Sequence, residues 1–119
     1  MNYDIDFKVK LEGVDRWVYL DPCCDAVITS SASEMIRKST GLSWDACGNN
    51  GLCIDVIPKI EKGLKELKQH PEKYNQYEEP NEWVTVEIII KFFERILDEW
   101  DMFKRIFPDL EEIATFWIY

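Results

Sequence analysis

The stretch that most constrains this chain runs from Thr85 to Phe107. Apolar residues recur there at Val86, Ile89, Ile90, Phe93, Ile96, Leu97, Trp100 and Phe103. Steps of three and four place them on one stripe of an α-helix. Glu87, Lys91, Glu94, Asp98 and Asp101 fall on the opposite stripe. Thr85 is placed to cap the N-terminus, with Glu87 in the first turn, where the helix dipole favours an anion. Pro108 cannot continue the helix, so the spacing predicts an end near Phe107. At about 1.5 Å per residue such a helix is roughly 35 Å long, enough to span a small domain.

The start of the chain has a different period. Tyr3, Ile5, Phe7, Val9 and Leu11 point one way and the intervening charges the other, the pattern of a half-buried strand. Glu12-Gly13-Val14-Asp15 reads as a turn and residues 17–20 as the returning strand, a hairpin closed by Asp21-Pro22. Ala26 to Thr29 is apolar and β-branched, a third short strand. Ser31-Ala-Ser-Glu34 fits a capping box ahead of a helix that holds Met35 and Ile36 and stops near Gly41. Residues 41–51 form a turn-rich loop. Leu52, Val56, Ile57, Ile60, Leu64 and Leu67 mark a second helix. Its start is expected between 52 and 56, so that Pro58 falls in the first turn. Residues 69–82 are polar and interrupted by Pro71 and Pro80, a connecting loop with room for one helical turn. Ile113 to Tyr119 is β-branched and aromatic, a C-terminal strand beside the hairpin. The fold expected is α+β in a single domain, 1–119: an N-terminal β-hairpin plus a C-terminal strand packed against three helices, the last one long.

Four local patterns together resemble those of a family of small uncharacterised phage and bacterial proteins. They are Ile28-Thr-Ser-Ser-Ala-Ser-Glu-Met35; Pro58 with Gly63-Leu-Lys-Glu-Leu67; His70-Pro-Glu-Lys-Tyr74; and Asn81-Glu-Trp-Val-Thr-Val-Glu87 leading into the long helix. The resemblance covers roughly residues 27 to 119. Glu82 and Val84 stand where the family pattern has glycine, and Val86 where it has an aromatic residue. The motifs are caps and turns. The resemblance implies a phage or mobile-element origin and brings no activity with it.

Charge narrows the function classes. The 119 residues carry a net −9, and residues 81–119 hold −5 of it. That disfavours direct binding to nucleic-acid phosphates or an anionic membrane surface. It permits a partner with a basic surface. No run of 18 apolar residues suggests a membrane span. The acidic start lacks the apolar core of a secretion signal, so the expected location is the cytoplasm, with thiols reduced.

Candidate chemistry is sparse. Cys23 and Cys24 are vicinal and Cys47 and Cys53 have five residues between them, unlike the close knuckles of structural zinc. Gly48-Asn-Asn-Gly51 precedes a helix but has no basic neighbour in sequence, so a turn is expected rather than an anion cradle. His70 is the single histidine and has no nucleophile beside it. Asp98/Glu99 and Glu111/Glu112 are adjacent on the chain and read as solvated face. No catalytic, cofactor or metal residue is expected. The expected partner-binding residues are the acidic stripe Glu94, Asp98 and Asp101, with Trp83 and Trp44 as loop tryptophans of the kind enriched at interfaces. The reading is a small acidic, non-enzymatic accessory protein of phage or mobile-element type that binds a host protein, in one form a counter-defence inhibitor mimicking nucleic-acid charge. The alternative is a small enzyme or metal/ligand-binding domain using loop 41–53.

Overall fold

Strand β1 (Asn2–Lys10) is the spine of a five-stranded antiparallel sheet ordered β2-β1-β5-β4, with β3 also paired to β1. The structure is a computed structural model and describes residues 2–19, 26–81 and 83–119. The turn that reverses β1 into β2 (Trp17–Tyr19) is closed by the Val14 N–H donating to the Leu11 carbonyl. Gly13 there has φ 79°, a left-handed conformation that favours glycine. The hairpin pairs Lys8 with Tyr19 and Lys10 with Trp17. Strand β3 (Val27–Thr29) pairs with Asn2–Asp4, continuing the β2 edge. Strand β5 (Thr115–Ile118) takes the other edge of β1, setting Ile5 opposite Ile118 and Phe7 opposite Phe116.

Alternation then sorts the side chains. Ile5, Phe7, Val9, Phe116 and Ile118 are buried on the inner face. Against them lies α3 (Val86–Ile106), whose Trp100 and Phe103 meet Phe7 edge-on at 5.6 and 5.7 Å between ring centroids. Thr85 caps α3 by accepting from the Ile88 N–H at 3.1 Å. Of the apolar stripe, Val86, Ile89, Phe93, Ile96, Trp100 and Phe103 are buried and Ile90 and Leu97 half-buried, and Phe92 joins the buried set. Helix α1 (Ser33–Thr40) ends on Gly41 at φ 77°, and α2 (Cys53–Gln69) lies between α1 and α3.

Four local expectations are corrected. The capping box does not form: residues 30–32 are already a 3-10 turn, so α1 is capped at Ala32 with no side-chain bond. Ser31 therefore lies inside a turn instead of in the extended conformation a capping serine needs. The loop 41–51 contains a strand, β4 (Gly48–Leu52), paired to β5 with a shift in register between Asn49 and Leu52. Pro58 lies in the second turn of α2, not the first. The connecting loop holds two 3-10 turns, Pro71–Lys73 and Asn75–Tyr77. It is pinned by buried Tyr74, whose phenol is pushed up to about 12 by burial and by the neighbouring Glu66 carboxylate. The hairpin closure at Asp21-Pro22 lies outside the described residues.

One contact fixes how closely α1 and α2 approach. A Cβ added at Gly63 would sit 2.6 Å from the Thr40 methyl and 3.2 Å from the Phe93 ring. Thr40 has little freedom to move, because its hydroxyl donates to the Ile36 carbonyl and accepts from the Leu42 N–H. Gly63→Ala should therefore destabilise the protein by about 1–3 kcal/mol, although alanine is the better helix former by about 1 kcal/mol. Thr40→Ser, which removes that methyl, should cost less in the Gly63→Ala background than alone. Urea midpoints of the four proteins in this cycle measure it.

Candidate functional site

The helices pack on one face of the sheet, and no described element packs on the other. The outward residues of β1 are Asp4, Asp6, Lys8 and Lys10, and strand register brings Trp17 and Tyr19 of β2 and Thr115 and Trp117 of β5 beside them. Tyr119 follows at the end of β5, its backbone exchanging two hydrogen bonds with that of Asp4.

Trp117 is the centre of this face. Its indole N–H donates to the Thr115 hydroxyl at 2.7 Å, and that hydroxyl donates at 2.7 Å to the Lys8 carbonyl. Its six-membered ring passes over Gly48, where an added Cβ would approach it to 3.1 Å, and Gly48 also has φ 95°. Glycine is thus required there twice over. Trp17 meets Trp117 edge-on at 5.3 Å and Tyr119 stacks on it at 6.0 Å. The Lys8 ammonium sits 4.3 Å from the Trp117 ring and 4.6 Å from the Tyr119 ring, and hydrogen-bonds the Tyr119 hydroxyl. Each such cation–π contact contributes about 0.5–1 kcal/mol at an exposed site. The result is a fixed aromatic platform, with Trp17, Tyr19, Val27 and Tyr119 each 39–45% exposed.

The residues expected to bind a partner are dispersed. Glu94 pairs with Lys68 at 3.2 Å and Asp101 with Lys104 at 3.7 Å, so two of the three acids on the α3 stripe have a lysine beside them. Asp98 is exposed. Trp83 is 68% exposed, on a turn where its N–H donates to the Asn81 side chain. Trp44 is corrected: it is 1% exposed, a core residue in ring contact with Tyr3, Phe92 and Phe116. Burial of its ring on three aromatic neighbours removes it from any partner surface. Glu99, read as part of a solvated face, is 2% exposed and forms an ion pair with Arg95 at 3.3 Å, one turn back. Its spacing from Phe92, Ile96 and Phe103 was the signal that placed it on the inner stripe.

Loop 41–53 borders a cleft of about 290 Å³ lined by Trp44, Asn50, Gly51, Asp55 and Lys59 among others. Lys59 is a basic neighbour that sequence proximity did not supply. Trp44 has φ 51°, and its buried indole N–H has no hydrogen-bond partner among the described residues. Cys47 is exposed and Cys53 is buried, where burial pushes its thiol well above the ordinary range. Cys23 and Cys24 lie outside the described residues. Among the described residues no group of three or more His, Cys, Asp or Glu side chains is placed to hold a metal ion, and no helix is long and apolar enough to cross a membrane. His70 lies 3.7 Å from Glu72 at the end of α2.

No protein-family model, curated protein or solved structure matches the chain.

The positions of two tryptophans give a direct check. Trp44→Ala should cost about 3–5 kcal/mol, as for other buried aromatics. Trp83→Ala should stay within about 0.5 kcal/mol of wild type, as a surface substitution. Denaturant unfolding of both variants measures the contrast.

Proposed function

We propose that this chain is a non-enzymatic binding protein that engages another protein through the outward face of its sheet. The single observation that carries this reading is the aromatic platform of Trp17, Tyr19, Trp117 and Tyr119, ordered around Lys8 and left uncovered by every described element. Tryptophan and tyrosine dominate interface energetics because they bring large area at low entropic cost. A platform already held by hydrogen bonds and ring contacts loses little freedom on docking. Net charge −9 adds long-range repulsion from nucleic acid, which favours a protein as the partner.

The phage or mobile-element setting, with a basic host protein as target and a counter-defence role, would instead use Glu94, Asp98 and Asp101. The lysines beside Glu94 and Asp101 reduce the field of that stripe. A small-ligand function for loop 41–53 has its own support in the cleft and the Trp44 N–H, unpartnered among the described residues. It would show as a ligand-dependent rise in Tm that Lys59→Ala removes.

A photo-crosslinking amino acid placed at Trp17, and in a second protein at Asp98, separates the two surfaces. In lysate of the source cells, the Trp17 position should give a discrete protein adduct and the Asp98 position none. Adducts from position 98 alone, or from neither, would overturn the sheet face as the binding surface.

A further inference from the structure

The outward residues of β1 read Asp4, Asp6, Lys8, Lys10 along the strand. Two acids occupy one end and two lysines the other, at equal spacing about the centre, Phe7. A row of this kind is complementary to its own reverse. Two copies placed face to face, related by a two-fold axis that lies between the faces and crosses β1 at Phe7, run their β1 strands antiparallel. Asp4 of each copy then lies over Lys10 of the other, and Asp6 over Lys8. A two-fold axis that runs the two β1 strands parallel instead sets like charges together. An isologous interface requires this self-complementarity, because each patch must recognise itself.

Resting on the reading of this face as a binding surface, we infer that its occupant is a second copy of the chain. Three further observations favour it. Asp4 and Lys10, the outer pair, are both exposed. The contact Lys10 makes within its own chain, to Asp15, is long at 3.9 Å and its partner is fully solvated, so it exchanges readily. The same two-fold sets Trp17, beside Lys10, over Val27, beside Asp4, and both are exposed apolar side chains. Nine residues of β1, three each of β2 and β3, five of β4 and four of β5, each about 3.3 by 4.8 Å, cover roughly 380 Å². That is below the roughly 800 Å² per partner of a standard interface, so the dimer is of the weak, reversible class.

Sedimentation velocity on the full chain, from about 1 to 100 μM, tests the inference through charge reversal. Wild type should be a dimer at the upper end. Asp4→Lys and Lys10→Asp should each raise the dissociation constant at least about tenfold, because each puts like charges together at two symmetry-related places. The double variant Asp4→Lys/Lys10→Asp should restore dimerisation. An equimolar mixture of the two single variants should form a heterodimer more tightly than either associates with itself. Urea midpoints identify any variant that fails to fold, and the mixture and the double variant report independently of either single one. A wild type that stays monomeric at 100 μM, or dissociation constants indifferent to all four charge arrangements, overturns the second copy as occupant. In that case a Trp17 adduct whose mass is not twice 14.1 kDa leaves the sheet face as a binding surface for a different protein. Absence of any adduct removes both.

Discussion

The antiparallel pairing of β1 with β5 is the constraint on which the rest of the structure depends. It joins the two ends of the chain, residues 5–8 to residues 115–118. The paired bonds of Asp4 with Tyr119 fix the alternation, so Asp6 with Trp117 and Lys8 with Thr115 are the other hydrogen-bonded pairs. Ile5/Ile118 and Phe7/Phe116 are then the close, non-bonded pairs, and their side chains face the core. A slip of one residue would exchange this apolar set for Asp6, Lys8, Thr115 and Trp117. Helix α3 is positioned by the same register, because Trp100 and Phe103 pack on Phe7.

That register also produces the outward face. Trp17, Tyr19, Trp117 and Tyr119 are not surplus core residues left outside: Trp17 and Tyr19 flank half-buried Val18, and Trp117 and Tyr119 flank buried Ile118. The platform and the core are two readings of one alternation. Gly48 connects them, since its missing Cβ lets the Trp117 ring lie across β4 while β4 pairs with β5. The cleft on the other side is bounded by the same two strands through Asn50, Phe116 and Ile118.

Much of the fold was legible in the sequence where one physical signal dominated. Helix α3 announced itself by an apolar stripe, a threonine cap and a terminating proline. Strands β1 and β5 did so by alternation and β-branched or aromatic content. Strand β4 was not legible, because Gly48-Asn-Asn-Gly51 carries turn residues and is extended only through its pairing with β5. The Ser31–Glu34 motif matched a capping box in composition, but the 3-10 turn at 30–32 starts the coil earlier. The burial of Trp44, a loop residue as expected, was not legible because it comes from Tyr3, Phe92 and Phe116, far away in sequence. The aromatic platform was half legible. Positions two apart on a strand share a side, as Trp17 with Tyr19 do, but only the register of β2 and β5 on β1 shows that all four aromatics share one face. The lysine beside Glu94 was not legible along the helix, because it comes from a different helix, α2.

Native-state hydrogen exchange at the amides of Asp6, Lys8, Thr115 and Trp117 tests the central role of the β1–β5 pair most directly. If the pair holds the fold together, these four amides exchange only through global unfolding, with the same free energy that denaturant titration gives. Exchange at clearly lower free energy, while amides in the middle of α3 stay protected, would show the helices standing without the strand pair and would contradict it.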